Sequence, residues 1–447
     1  MAFEDIKELL AAKRYVELKE RIKELQIPDI AEFIDELDTK NAIIAFRLLP
    51  KEIAADVFSY LSSERQGEIS TLVDEKELIE IMNDLFFDDK IDFLEEMPAN
   101  VVKRILRNVS EAERNLINHF LKYPDNSAGS LMTIEFVDLK KEMTVRDALE
   151  KIRRIGRDRE IVYTCYVTDA WRRLEGIVSL KELVLASPDV KVEDIMTTDV
   201  IYVNTYDDQE DIADIFKKYG FLAMPVVDQE KRLVGIITID DIVDVIEQEN
   251  TEDFQRIAAI QPSEIEYLEA NPVMLARKRI VWLMILMISA TISGYIIRRY
   301  QVAIEAVVAL TAFIPMLMDT GGNAGSQSSV TVIRSLALGE LKFTDILKVI
   351  RKELLVSILV GLGLTCVNFI RIFYLEGYDL SITLTISLTL FLTVVFAKFI
   401  GGTLPLLAKK VGLDPAIMAS PLITTIVDAV SLVIYFSLAV RILHIVV

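Results

Sequence analysis

The chain has 447 residues, of which 68 are acidic and 49 basic, and its net charge is −19. Most acidic residues precede Arg277, and the part from Arg277 onward is apolar and slightly basic. The length predicts two to four domains, and the acidic front argues against nucleic acid or anionic lipid as its partner and suits cations.

Residues 1–128 are predicted to be helical, because apolar residues recur at spacings of three and four. Two similar segments, PKEIAADVFSYLS from Pro50 and PANVVKRILRNVS from Pro98, lie 48 residues apart and share their apolar positions. A repeat of this period is typical of helical solenoids. We therefore expect a helical superhelix that presents surfaces rather than a catalytic pocket.

Residues 129–250 alternate between strand-like and helical segments, and the alternation occurs twice. GIVSLKELV from Gly176 and GIITIDDIV from Gly235 are the same element repeated. This arrangement resembles a tandem pair of CBS (cystathionine β-synthase) modules, which we assign to 129–196 and 197–250. Paired CBS modules generally act as sensors, often of adenosyl nucleotides. Two small α/β domains used only for dimerisation are the alternative.

An acidic, largely helical segment begins near residue 241, and we assign residues 251–276 to a helix that connects the CBS modules to the membrane. Several of its carboxylates crowd about four helical turns. Such a charge run is usually a solvated helix face. Its position between a sensor and a membrane domain favours a functional role instead.

Residues 277–447 are predicted to form a transmembrane domain of five spans, each long enough to cross a bilayer. Lys and Arg, with Lys398 counted as an inner-loop residue, are enriched on the side that places the N-terminus inside and the C-terminus outside. The predicted spans are 280–297, 302–318, 352–373, 381–402 and 415–440.

The last span carries Asp428 in its middle, where a carboxylate costs at least about 2.5 kcal/mol. Ser420, Thr424 and Asp428 recur every four residues and so share one helix face. The second span runs into PMLMDTGGNAGSQSSVTVIRS from Pro315, whose proline and glycines predict a broken helix beside an ion path. Oxygen ligands without His or Cys indicate a hard cation, and a single pore carboxylate suits hydrated Mg²⁺. An aspartate that serves only helix packing is the alternative.

These membrane motifs, PMLMDTGGNAGSQSSVTVIRSLALGE and the span around Asp428, follow an acidic helix and tandem CBS modules. Together they resemble the MgtE family of magnesium channels over the whole chain. The resemblance implies a multidomain α plus α/β membrane protein. Its parts are a helical N-domain, two CBS modules, a connecting plug helix and a five-helix transmembrane domain. It further implies a non-enzymatic homodimer with one pore in the lipid bilayer of the inner (cytoplasmic) membrane.

The resemblance also implies the function, a Mg²⁺-selective channel that imports magnesium and closes when Mg²⁺ binds its acidic cytosolic domains. Asp428 takes the family's pore position, with Thr424 on the same wall and Asn323 supplying an uncharged oxygen from the second span. The resemblance also implies Mg²⁺-sensing positions in the N-domain, at Glu52, Asp88 and Asp89, although the helical repeats there align only loosely. The Mg²⁺-sensing positions implied in the second CBS module, the plug helix and the start of the fifth span are Asp208, Glu210, Asp241, Asp244, Glu249, Glu252, Asp253 and Asp414.

Some family members bind ATP in their CBS modules, and the sequence leaves this open here. Two other functions also remain open. One is an ion-coupled secondary transporter of another divalent cation, in which Asp319 or Glu305 carries a proton. The other is an intramembrane aspartyl protease, suggested by the sequence Asp319-Thr320-Gly321 and disfavoured because Asp428 lacks a matching motif.

Overall fold

The computed structural model describes residues 3–263, 267, 270–418 and 420–445. The chain divides into two compact units, Met1–Ile246 and Glu247–Val447.

The first unit begins with short helices, each packed on the next but one: α3 on α5, α5 on α7 and α7 on α9. This is the stacking of a helical superhelix, and the predicted helical N-domain is confirmed. Asp38, Ser62, Asp74 and Ser110 cap helices through their side chains. The helices are α1 Glu4–Ala11, α2 Tyr15–Ile22, α3 Ile27–Asp35, α4 Thr39–Arg47, α5 Lys51–Ser59, α6 Ser63–Leu72, α7 Glu75–Asp84, α8 Phe87–Glu96, α9 Ala99–Asn108 and α10 Glu111–Phe120.

The CBS modules each contain a three-stranded sheet in which a parallel pair is followed by an antiparallel hairpin. The first module comprises α11 Ala128–Leu131, β1 Asp138–Leu139, α12 Val145–Ile155, β2 Thr164–Thr168, β3 Leu174–Ser179 and α13 Leu180–Leu185. The second comprises α14 Val192–Ile195, β4 Val203–Asn204, α15 Gln209–Tyr219, β5 Ala223–Val227, β6 Leu233–Thr238 and the start of α16 Ile239–Ile257.

The segment that leads into each module packs on the sheet of the other one. Thr133 pairs with Ile236 of β6, and Thr197 pairs with Ile177 of β3. The repeated glycines permit this crossing, since a Cβ on Gly176 would lie 2.9 Å from the Thr197 carbonyl oxygen and one on Gly235 would lie 2.7 Å from that of Thr133. The two modules therefore form one intertwined pair. The second module also shares a hydrophobic core with the N-terminal helices.

The second unit contains the long apolar helices. They are α17 Pro272–Arg299, α18 Gln301–Ala306, α19 Ile314–Ala337, α20 Ile346–Ile370, α21 Leu380–Lys410 and α22 Ser420–Ile442. Helix α19 packs against both α21 and α22, while α20 lies on α21 and α17 on α22. The side chains buried at the centre of this bundle include Leu317, Leu390, Val394, Val427 and Tyr435.

Among the residues that the structure describes, four segments are long and apolar enough to cross a membrane: Pro272–Arg299, Phe343–Leu375, Leu380–Lys410 and Pro415–Ile442. The sequence prediction was wrong about the second span, 302–318. That stretch is α18 and a 3₁₀ turn at Val308–Phe313, and the long helix α19 begins only at Ile314. Pro315 lies in its first turn, so α19 is continuous through its glycines.

Lys398 is the other correction. We counted it as an inner-loop residue, but it lies inside α21 and is 4% exposed.

Candidate ion path and acidic cation sites

Helix α19 has one face of small residues and one face of polar residues. A Cβ on Gly322 would lie 2.8 Å from the methyl carbon of Thr424, and one on Gly325 would lie 2.8 Å from Ile423, both on α22. The glycines therefore bring α19 and α22 into close contact. Asp319, Asn323 and Gln327, spaced by four residues, stay exposed on α19.

Asp428 lies on α22 and is half-buried. Its Oδ1 atom is buried and has no hydrogen-bond partner within the described part of the chain. The carboxylates of Asp428 and Asp319 are near enough to interact electrostatically. The structure therefore brings two acidic groups of α19 and α22 together, beside the Gly322–Thr424 contact. Ser420, the third predicted member of this face, has its side chain outside the described residues.

In the first unit, carboxylates from α8, α16 and the loop before β2 lie together, and we call Asp88, Asp89, Glu160 and Asp241 the acidic cluster. Asp88 is 8% exposed, and burial, together with Asp241 and Glu160, raises the pKa of its carboxyl well above the usual range. Burial raises the pKa of Asp241 to about 7, although the Thr238 hydroxyl donates a 2.8 Å hydrogen bond to it. Among the residues that the structure describes, neither Asp88 nor Asp241 forms an ion pair, so both lack the neutralising partner that a buried charge needs.

The pKa values of the other two members of the acidic cluster are raised as well. Burial and the nearby Asp240 raise the pKa of Glu160 to about 8 and that of Asp89 to about 6. The Oε2 atom of Glu160 is buried without a hydrogen-bond partner among the described residues. The cluster therefore favours either protons or a cation.

Sequence reasoning missed Glu160 and also Asp92 and Asp240, which face the same cluster. Glu160 follows α12 in a loop, GRDRE, with no helical spacing relative to Asp88 or Asp241. The only available signal was its position just before a buried strand. Its neighbours come from distant parts of the chain, so a pattern search could not find it.

A second acidic group lies in the second unit, at the end of α16. The Arg256 guanidinium forms ion pairs with Glu252 and Asp414. Burial, together with Asp414 and Glu249, raises the pKa of Asp253 to about 6. Two of the predicted carboxylates therefore pair with Arg256, and Asp253 interacts electrostatically with both Asp414 and Glu249.

The end of α16 is also anchored by apolar contact, because Ile257 packs on Ile333 and Ala416. Asp414 accepts a 2.7 Å hydrogen bond from the Ala416 amide, which fixes the turn before α22. The acidic group thus lies where α16 meets the beginning of α22.

Four predicted sensor residues lie outside both groups. Asp208 caps α15 by accepting from the Glu210 amide at 2.9 Å, and both side chains are exposed. Glu52 is exposed in the first turn of α5, and Asp244 is exposed on α16. Within the described ranges, no three or more His, Cys, Asp or Glu side chains form a metal-binding group. Charge and burial, rather than a finished ligand shell, therefore define these candidate sites.

Comparison with known proteins identifies the class of this architecture. Residues 314–438 match the family model described as a divalent cation transporter, MgtE. Residues 25–126 match the MgtE intracellular N domain, and residues 128–189 and 192–248 match CBS domains. The protein is thus a divalent cation transporter that also carries an intracellular N domain and two CBS domains.

The particular family follows from full-length relatives. The chain is 37% identical to the magnesium transporter MgtE of Thermus thermophilus, with 94% of each chain covered. It is 33% identical to that of Bacillus subtilis, with 95% of this chain and 96% of the relative covered. The chain belongs to the MgtE family of magnesium transporters and is a membrane protein, not an enzyme.

Two solved structures resemble the soluble part. One is the cytosolic domain of the Mg²⁺ channel MgtE in complex with ATP, at 37% identity and a TM-score of 0.51, covering 54% of this chain and 98% of that one. The other is the soluble part of a magnesium transporter, at 30% identity and a TM-score of 0.51, covering 55% and 97%.

Proposed function

We propose that this protein is a Mg²⁺-selective channel that imports magnesium across the cytoplasmic membrane as a homodimer with one pore. The observation that carries the proposal is the exposed polar face of α19, with Asp319, Asn323 and Gln327, next to Asp428 of α22. Such a face is too costly to leave against lipid, so a water-filled path or a second copy must cover it. A two-fold dimer would place two of these faces around one path.

Mg²⁺ is the proposed substrate because the path offers carboxylate, amide and hydroxyl oxygens, which suit a hard and strongly hydrated ion. Asp428, Thr424 and Asn323 are the proposed contacts, through the waters of the ion. An inside-negative potential of 100 mV would favour entry of each Mg²⁺ by about 4.6 kcal/mol, twice the value for a single charge. With the N-terminus inside, the first unit is in the cytosol.

The acidic groups are the proposed sensors that close the channel. At low cytosolic Mg²⁺, repulsion within the acidic cluster opposes the compact form of the first unit. At high Mg²⁺, ions between these carboxylates favour the compact form, because they bind it better than the open one. The group around Asp253 and Asp414 would respond in the same way at the start of α22. The paired CBS modules are the proposed ATP site, since a relative's cytosolic domain was solved with ATP.

Mg²⁺ uptake into proteoliposomes tests the pore. We expect Asp428→Ala to reduce uptake at least 50-fold while leaving the amount of folded protein unchanged. Asp379→Ala is the matched control, because Asp379 is an exposed carboxylate just before α21 that makes no side-chain cap bond. Normal uptake by Asp428→Ala refutes the assignment of the ion path.

Recording from membrane patches tests the sensor. Changing Asp241, Asp244, Glu249 and Asp253 to their amides should raise the cytosolic Mg²⁺ concentration needed for closure at least tenfold. Inhibition by Mg²⁺ that matches the wild type would refute the regulatory role of these carboxylates.

A second candidate is an ion-coupled transporter of another divalent cation, and the proximity of Asp319 to Asp428 favours it. Asp319 would then carry a proton in the direction opposite to that of the cation. Single-channel currents support the channel, whereas saturable flux that needs a pH gradient and loses that need in Asp319→Asn supports the transporter.

A further inference from the structure

Three polar side chains from three helices of the second unit are linked by hydrogen bonds, away from the acidic groups. Lys398 of α21 is 4% exposed and Ser328 of α19 is 3% exposed. The Ser328 hydroxyl donates to Glu353 Oε2 of α20 at 2.6 Å, and the Lys398 ammonium donates to Ser328 Oγ at 3.4 Å. One hydroxyl thus links a carboxylate and an ammonium from two other helices.

The surrounding backbone makes room for this arrangement. A Cβ on Gly402, one turn after Lys398, would lie 2.8 Å from Cγ of Glu353. The stem of Glu353 therefore packs over a glycine of α21. A larger residue at position 402 would push the carboxylate away from Ser328.

The three residues lie next to the place where α19 packs on α21 and α22. Gly325, one turn before Ser328, faces the carbonyl oxygen of Ala397, the neighbour of Lys398, with a built Cβ 3.2 Å away. The same position contacts Ile423 of α22, and Gly322 contacts Thr424. The placement of Ser328 therefore sets how α19 meets the helix that carries Asp428.

A buried ammonium inside a membrane helix bundle is expensive unless it is paired, and losing one partner leaves the other charge uncompensated. Near a path for a divalent cation the same charge has a second effect. An unpaired Lys398 would repel the ion, and an unpaired Glu353 would attract it.

We propose that half-buried Glu353 and buried Ser328 and Lys398 form a charge relay that positions α19 against the ion path and whose neutrality sets the affinity of the path for Mg²⁺. The inference rests on the proposed ion path along α19 and α22. These are positioning residues, because none of them is placed in contact with the ion.

The test measures Mg²⁺ uptake by the full-length protein in proteoliposomes, per amount of folded transporter, together with its melting temperature. Glu353→Gln should raise the KM for Mg²⁺ about threefold, and Lys398→Met should lower it about threefold. Both should lower the melting temperature. The double variant should return KM to within twofold of the wild type and recover most of the melting temperature. Lys398→Arg, which keeps charge and donors, should retain at least half of the wild-type uptake.

The controls match each change. Lys352→Met removes an exposed charge next to Glu353, and Ser357→Ala removes a buried hydroxyl that donates to Leu354 of its own helix at 2.8 Å. Both should leave KM unchanged, whereas Ser328→Ala should lower the maximum uptake about threefold.

A purely structural defect would shift KM in the same direction in both single variants, and that result overturns the relay. If a single variant does not fold, a double variant that folds and transports Mg²⁺ supports the relay. A double variant that also fails to fold overturns it. Wild-type uptake no greater than that of Asp428→Ala would instead refute the proposed ion path.

Discussion

Replacing Glu160 by glutamine removes one carboxyl from the acidic cluster while keeping its size. The pKa of Glu160 is raised from 4.5 to about 8, so at pH 7 the folded protein keeps this group protonated, whereas the unfolded chain ionises it. That difference costs about 3 kcal/mol at pH 7. Because Glu160 is only half-buried, solvent screening reduces the figure to about 1.5 kcal/mol.

Glu160→Gln should therefore stabilise the first unit when Mg²⁺ is absent. For a unit of this size, about 1.5 kcal/mol raises the melting temperature by about 5 °C. The increase in melting temperature that the wild type obtains from Mg²⁺ should be smaller in the variant, since one proposed ligand is gone.

The assay is thermal unfolding of the full-length protein in detergent at pH 7, with EDTA or with excess Mg²⁺. Hydrogen exchange of α8 assigns the transition to the first unit. Glu150→Gln on the exposed face of α12 is the matched control and should change neither value. A lower melting temperature of Glu160→Gln in EDTA, or an undiminished gain from Mg²⁺, would contradict the reasoning.

Three further predictions concern pH, helix packing and the end of α16. The raised pKa values mean that the acidic cluster binds more protons in the folded protein than in the unfolded chain. The free energy of unfolding in EDTA should therefore fall as the pH rises from about 4.5 to about 8, and a flat profile would count against the cluster. Gly401→Ala should destabilise the second unit by about 1–3 kcal/mol in thermal unfolding, because its Cβ meets the backbone of Gly325, whereas Gly363→Ala has open space and should be neutral. Arg256→Gln should remove the ion pair with Asp414, which is worth about 1 kcal/mol, and so speed hydrogen exchange in the last turn of α16 about fivefold. Unchanged exchange would show that the apolar contacts of Ile257 are enough to hold the end of α16 in place.

The fold class could be predicted from the sequence because its signals are local. Apolar spacing predicted the N-terminal helices, and the repeated elements at Gly176 and Gly235 predicted the two CBS modules, in which these glycines lie on β3 and β6. The crossing of the leading segments between the modules was not predictable, since it depends on contacts between Gly176 and Thr197 and between Gly235 and Thr133.

The prediction of membrane spans from hydropathy failed where polar residues lie in helix contacts or along the candidate ion path. The polar residues and glycines of α19 suggested a broken span, yet they belong to one continuous helix, with the glycines against α21 and α22 and the polar residues exposed. Lys398 was counted with the inner-loop charges although the predicted span 381–402 contains it. A charge that is neutralised across helices cannot be distinguished in sequence from one that lies in water.

The sequence by itself determined the family, the order of the domains and the one aspartate in the middle of the last span, because spacing and composition are properties of the chain. The tertiary structure decided which of those carboxylates meet. It joined Glu160 to Asp88 and Asp241 and gathered Glu252 and Asp414 around Arg256. It also linked Lys398 to Glu353 through Ser328. Burial and distance set the energy of these charges, and both exist only once segments remote in sequence have packed together.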